Sequence, residues 1–406
     1  MPEFTQFLAK HKEDLQKIIK RLDSSFYFYD LDELEKHLTY MRDHKDDDVK
    51  LWFACKANPL SSILKLIRNL GLGVDVASLG ELEQVVSAGV KSEDIISTGP
   101  SKSRKYIRSL LKNEINSVVV ESLYQLEWLE EQAREEGVKA KALLRVQLPW
   151  DEGKSVLGGN EITAFGMDKA AWEKVNLKHY PNVEVIGFHV FQWGNILEVS
   201  QLEKIWDKTC LEVKDLAQKM EASLEVIDLG GGLGIPYQNE SKTIDFKDIN
   251  DVLVKLKAKH GLNKIWMELG RFAVGECGYY LSQVIDRKTV RGREILVLDG
   301  GTNHLARPAL TGQAFPCHVL KEDPSTETKE FHVHGPLCTA IDKLGVFKLP
   351  ENVDYGDWLI FSQAGAYGFT EAMPFFLCHN LPAEVVSYKG DIMTPRGIKT
   401  SSDWLV

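Results

Sequence analysis

A lysine stands where an apolar run stops. In LWFACKANPL, Lys56 follows Leu51–Cys55 and precedes Ala57-Asn58. An amine at a strand end is ordinarily a solvated terminus, but at the mouth of a pocket it is a nucleophile able to condense with a carbonyl. Other polar residues collect at the ends of further apolar runs. ASLGE (77–81) follows GVDVA, Arg145 closes ALLRV, and His189 lies near the end of VIGFHV. GGGLG (230–234) follows EVIDL, and ELGR (268–271) closes IWMEL. Each also has a plainer reading: His189 as a satisfied core histidine, Glu268 as the partner of Arg271, the glycines as a tight turn. GGGLG lacks the dinucleotide-binding spacing and the Lys-Ser/Thr of a P-loop. Three glycines nonetheless let backbone N–H groups approach a phosphate.

The elements that must position these residues alternate regularly. Short β-branched runs begin at 51, 73, 95, 117, 142, 185, 225 and 265, separated by stretches such as SSILKLIRNL with apolar residues at helical intervals. Eight such pairs predict a (β/α)8 barrel over 27–274, with an open doubly wound sheet as the alternative. Function in such a barrel gathers at the carboxyl ends of its strands, where all the residues above fall. An amine, an anion cradle, a carboxylate and an aromatic ring are what pyridoxal phosphate needs: a Schiff base, a phosphate site, a partner for the ring nitrogen and a stacking surface. Beyond residue 275 helices give way to strands (YYLSQVIDRKTV, REILVLDGG, KEFHVHGPL, DWLIFSQAG), which predicts a second, mostly β domain from 1–26 and 275–406. The early strand SSFYFYD is expected to pair with the first barrel strand.

The totals narrow the function classes. Lys+Arg 49 against Asp+Glu 59 leaves −10, so no basic footprint calls for nucleic acid or an anionic membrane. Six cysteines lie scattered without CxxC spacing, so reduced thiols and no structural metal are expected. The opening MPEFTQFLAKHKEDLQ has charges where a signal peptide needs an apolar core, and no run is long enough to span a bilayer, so the expectation is a cytoplasmic protein.

Six ordered motifs carry a resemblance over nearly the whole chain to the fold-type III pyridoxal-phosphate decarboxylases, the ornithine and diaminopimelate decarboxylase family. FACKAN resembles the cofactor-lysine strand, DLGGGLG the phosphate loop, and ELGR the Glu-Pro-Gly-Arg motif with Leu269 in place of proline. LDGGTNHLARPAL is similar to the segment with a substrate-binding arginine, HGPLCTAID to the Gly-Pro-x-Cys block, and GAYG to a tyrosine motif near the phosphate. The resemblance implies that Lys56 carries the cofactor and that Gly230, Gly231, Gly232, Gly270, Arg271 and Tyr367 hold its phosphate. It implies that Glu268 keeps the ring nitrogen protonated and that Cys338 returns a proton to the reacting carbon. In the family that cysteine comes from the partner subunit of a head-to-tail homodimer.

Departures from the family pattern bear on the substrate. Members acting on free diamino acids carry an acid directly after the cysteine, to grip the distal ammonium; here Thr339 follows Cys338. Burying an ammonium without a carboxylate costs several kcal/mol, which disfavours free lysine, ornithine and diaminopimelate unless Asp342 or another acid substitutes. Thr311 replaces the tyrosine of the RPALY segment, while Arg307 remains for a distal carboxylate. In GFHVFQWGNI, Phe191 takes the family's histidine position, His189 lies two residues back, and Gly194 stands in place of a phosphate-binding serine. Either His189 or Phe191 is left to stack on the cofactor. PFFLCHNLPAEV resembles a subgroup that decarboxylates conjugated amino acids, such as citryl-diamino-acid siderophore intermediates or carrier-linked aminoacyl thioesters. The alternatives are a decarboxylase of free diaminopimelate, ornithine or lysine, an amino-acid racemase, and a non-catalytic regulatory homologue.

Overall fold

The computed structural model describes residues 4–150, 159, 161–237, 243–403 and 405. The chain divides into two compact units: Leu38–Ile235 with Lys242–Ala273, and Met1–His37 with Pro236–Ser241 and Val274–Val406.

Strand β1 (Phe26–Asp30) belongs to the second of these. The first unit contains β2 (Val49–Ala54), β3 (Gly73–Val76), β4 (Ile95–Ser97), β5 (Ser117–Val120), β6 (Ala140–Gln147), the two-residue β7 (Met167–Asp168), β8 (Val183–His189), β9 (Val226–Asp228) and β10 (Lys264–Leu269). All pairings are parallel and run β2–β3–β4–β5–β6–β8–β9–β10 and back to β2, with β7 as a side branch on β6. The ring is closed, as the eight runs predict, and the open sheet is excluded. Parallel strands covered on both faces are near-continuous apolar runs, which is why the sequence shows them so clearly. Trp52, Ile96, Val119, Leu143, Ile186, Val226 and Trp266 fill the interior as one buried cluster. Gly73 makes room for it, since a Cβ there would lie 2.1 Å from the Trp52 ring. Three of the surrounding helices start alike: Ser78, Ser103 and Ser122 each accept the N–H three residues on (Glu81, Tyr106, Gln125). Each such cap stabilises its helix by about 1 kcal/mol.

The second unit is mostly sheet. It adds β11 (Gly278–Val290), β12 (Arg293–Leu298), β13 (Cys317–Leu320), β14 (Thr328–His334), β15 (Lys343–Pro350), β16 (Trp358–Phe361), β17 (Ala383–Tyr388) and β18 (Asp391–Arg396). Their order is β15–β14–β12–β11–β1–β17–β18, with β16 on β11 and β13 on β16. The amphipathic helix Phe4–Leu22 buries Phe7, Leu15 and Ile18 against Phe26, Phe28, Leu281 and Val385.

Two sequence expectations change here. The early strand does not pair with the first barrel strand: β1 runs antiparallel to β11 and parallel to β17. The units accordingly part between His37 and Leu38 rather than after residue 26.

Candidate active site

Register builds the barrel rim. Arg145 pairs with His189, and His189 with Asp228, so these three sit side by side at the ends of β6, β8 and β9. Paired residues of parallel strands point to the same face. Asp75 occupies the matching place on β3, beside Ala54, and Glu268 lies near the end of β10.

Lys56 sits in the short turn Cys55–Ala57 that ends β2. Its Nζ donates to Asp75 Oδ2 at 3.4 Å, and its side chain is 37% exposed while that of Asp75 is 1%. Asp75 also accepts from the Thr98 N–H at 3.0 Å and the Thr98 hydroxyl at 2.8 Å. Burial, then the nearby charge of Glu268, pushes the Asp75 carboxyl above its usual range, with Lys56 and Thr98 pulling the other way.

Glu268 Oε1 lies 3.2 Å from His189 Nε2, both fully buried. The approach is off the hydrogen-bonding axis, leaving Glu268 Oε1 and both His189 nitrogens without hydrogen-bond partners among the described residues. Burial opposes ionisation of Glu268, but His189, Lys56 and Arg145 outweigh it and hold the carboxyl down at about 2. Asp228 behaves in the opposite way. Its Oδ1 accepts the Gly230 N–H at 2.8 Å, yet burial and the charge of Glu268 push it well up. Ligating atoms of His189, Asp228 and Glu268 all lie within 4.8 Å of one another. Two carboxyls so close share one negative charge, and here Glu268 carries it.

The glycine loop is tied to this cluster, the Gly230 carbonyl accepting the Glu268 N–H at 2.6 Å. Gly230 and Gly232 have φ of 61° and 92°, which favour glycine. A Cβ on Gly231 would sit 2.0 Å from the Glu268 carbonyl oxygen, and one on Gly230 would sit 2.4 Å from the Phe191 ring. Phe191 therefore packs on the loop, while His189 is enclosed beside Glu268; Gly194 is exposed. Gly270 and Arg271 follow β10, and Arg271 is buried at the start of the helix Arg271–Val274. Arg145, at 2.9 Å from Glu121, also donates to the Phe191 carbonyl at 3.2 Å and so fixes the turn after β8. Lys102 donates to the Gly99 carbonyl at 2.6 Å, and burial lowers its amine to about 8, against the attraction of Glu121 and Asp75.

The remaining sequence candidates lie in the β unit. Arg307, buried, pairs with Glu371 at 2.7 Å and covers the Tyr367 ring at 5.1 Å. Tyr367 holds a left-handed φ of 57°, a strained conformation for a residue with a side chain. Cys338 is exposed and Thr339 half-buried. Asp342 departs from expectation. It is 1% exposed, and its two oxygens accept the Thr302 N–H at 2.7 Å and the Leu337 N–H at 2.6 Å. A carboxylate committed to two backbone amides does not reach for a substrate ammonium. Sequence reasoning gave no role to Asp75, Lys102, Glu121, Asp228 or Glu371. The signal for Asp75 was a lone aspartate within an apolar run, and for Asp228 its place just before the glycine loop.

A closed parallel barrel whose rim joins one strand-end lysine, a glycine cradle and a buried carboxylate kept ionised by cations defines a pyridoxal-phosphate barrel enzyme. The residues fit that cofactor: Glu268 Oε1 is an orphaned buried acceptor suited to a protonated ring nitrogen, and the cradle tolerates no Cβ. Comparison with known proteins agrees. The family described as pyridoxal-dependent decarboxylase, pyridoxal binding domain, matches residues 31–275, so the chain belongs to the pyridoxal-dependent decarboxylases. It is 27% identical over 405 residues to an L-glutamyl-[BtrI acyl-carrier protein] decarboxylase of Niallia circulans, covering 96% of this chain and 95% of the relative. It is 31% identical over 371 residues to a diaminopimelate decarboxylase of Helicobacter pylori, covering 89% of each. The solved diaminopimelate decarboxylase from Helicobacter pylori, complexed with L-lysine, superposes with a TM-score of 0.87 at 25% identity, over 96% of this chain and 98% of that one. The protein is a decarboxylase that uses pyridoxal phosphate. Among the described residues, no helix is long and apolar enough to cross a membrane.

Proposed function

We propose that the substrate is an α-amino acid whose far end is already joined to a larger group, as a carrier-linked thioester or an acyl conjugate such as a citryl-diamino acid. The observation that carries this reading is the Cys338 loop. Thr339 stands next to the cysteine, and the one acid close by in sequence, Asp342, is locked on the amides of Thr302 and Leu337. A free diamino acid would bring an ammonium to a loop with no carboxylate to receive it, at a cost of several kcal/mol. The relative matching at 27% over nearly all of both chains acts, by its name, on a carrier-linked glutamyl group. A second reading, decarboxylation of free diaminopimelate, is favoured by the relatives at 29–31% identity.

When bound, pyridoxal phosphate supplies a sink for the electron pair released as the bond to the α-carboxylate breaks. In this reading Lys56 is the amine that anchors it, and Asp75 steadies that amine. Gly230, Gly231, Gly232, Gly270 and Arg271 would hold the phosphate. Glu268, kept ionised by His189, accepts from a protonated ring nitrogen. Cys338 supplies the proton to the α-carbon, reaching the site of a partner subunit in a head-to-tail dimer, which accounts for a thiol exposed on the single chain.

Carbon dioxide release tests the substrate, using free lysine, ornithine, arginine and meso-diaminopimelate against citryl-conjugated diamino acids and carrier-linked glutamate. Release confined to the conjugates is expected. Equal turnover of a free diamino acid would overturn the reading.

A further inference from the structure

Glu371 has no role so far, yet it neutralises the one arginine that the sequence marks for the substrate. The Arg307 side chain is 8% exposed, and its Nη1 meets Glu371 Oε2 at 2.7 Å. On the other edge of the guanidinium, Nε is buried and without a hydrogen-bond partner among the described residues. The Tyr367 ring covers the face at 5.1 Å. A guanidinium fixed by packing and by a carboxylate, with a buried donor left unpaired, is held for a ligand acceptor, because such a donor otherwise costs free energy.

The occupant follows from the charge balance. A substrate ending in a free carboxylate would need both edges of Arg307, one of which Glu371 already fills with the same charge. A free ammonium would approach a guanidinium. A secondary amide suits both partners: its carbonyl accepts from Arg307 Nε–H, and its N–H donates to Glu371, whose side chain is 34% exposed. We propose that Arg307 and Glu371 form a neutral subsite that selects substrates whose tail carries an amide in place of a free acid or amine, with Glu371 as the discriminating residue. The inference rests on the conjugate reading above and extends it from the absence of an acid at Thr339 to a positive recognition element.

The test uses two pairs of probes. Turnover of L-glutamate is compared with that of its γ-N-methylamide, and calorimetric binding of 4-aminobutanoate with that of its N-methylamide, for the wild-type holoenzyme and Glu371→Gln. Wild type is expected to favour the amide in both measurements. Glu371→Gln, which frees Arg307 for a carboxylate, should shift each ratio toward the acid by about tenfold or more. Arg307→Lys keeps the charge and removes the Nε donor, so it should lose amide preference with Glu371 intact. An amide preference that survives both substitutions in folded protein, as judged by melting, would overturn the subsite while leaving the conjugate reading in place. Wild type that handles acid and amide alike would also overturn the subsite, whereas the conjugate reading stands or falls on the carbon dioxide assay with free diamino acids.

Discussion

Removal of the Asp342 carboxylate separates two roles that its position near Cys338 makes easy to confuse. If Asp342 builds the loop, Asp342→Ala strands the buried amides of Thr302 and Leu337, which it now receives at 2.7 and 2.6 Å. A hydrogen bond to a charged group contributes about 1.5–3 kcal/mol, so the pair amounts to roughly 3–5 kcal/mol allowing for partial rescue by water. For a unit of this size, each kcal/mol moves the midpoint by about 2–4 °C, which gives a drop on the order of 10 °C. Asp342→Asn keeps one acceptor oxygen but turns an NH2 toward the other N–H, and should lose about 2 kcal/mol. Scanning calorimetry of the two variants and wild type measures this, alongside steady-state kinetics with a conjugate and calorimetric binding of free lysine. The expected result is a lower midpoint and a lower kcat on the conjugate, because the Cys338 loop loosens, with no selective change in the affinity for lysine. Melting within about 2 °C of wild type, together with a selective loss of lysine binding, would refute the reasoning and make Asp342 a reader of the distal ammonium.

Two further outcomes follow from the same structure. Asp30 receives His11 Nε2 at 2.7 Å, Lys10 Nζ at 2.8 Å and the amides of Asp32 and Glu33, and although burial opposes its ionisation these partners hold it down at about 2. Its folded pKa lies below the unfolded value of about 3.9, so its stabilisation is complete above that pH and is lost as pH falls through about 2. Allowing for solvent around half-exposed Lys10, the contribution is about 1–2 kcal/mol, and Asp30→Asn should flatten the acid side of the stability profile between about pH 4 and 2. Separately, if Cys338 serves the partner subunit's site, equal mixing of inactive Lys56→Ala and Cys338→Ala proteins should restore about a quarter of wild-type activity, since half the dimers regain one of two sites. No recovery after subunit exchange would place lysine and cysteine of each site on one chain.

The barrel could be read from the sequence because its strands are short, apolar and buried on both faces, a pattern that solvent-facing strands would have broken. Lys56, Gly230–Gly232 and Glu268 stood out for a related reason: polar or glycine residues directly after such runs have no place in the core. What the sequence withheld was pairing at long range. Asp75 is one acid in GVDVA until register places it beside Ala54 on the strand that ends in Lys56. The partners of β1 lie more than two hundred residues further on, so its assignment to the barrel side was a matter of sequence proximity alone. Asp342 shows the opposite failure. It is four residues from Cys338, but two amide hydrogen bonds turn it away from the open face of that loop.

The Asp228–Glu268 pair explains why a second buried acid belongs in this site. Full ionisation of both would place like charges within 4.8 Å in a dry environment, raising Glu268 toward protonation and removing the acceptor that, in the proposed reading, a protonated ring nitrogen would need. The structure resolves the conflict unequally. His189, Lys56 and Arg145 all favour charge on Glu268, whereas Asp228 has a single backbone N–H to set against burial and its neighbour's charge. Asp228 therefore keeps its proton and spends its other oxygen on the Gly230 N–H, tying the first glycine of the cradle to the strand before it. One acid supplies the charge and the other the loop geometry, and each role depends on the other acid not sharing it.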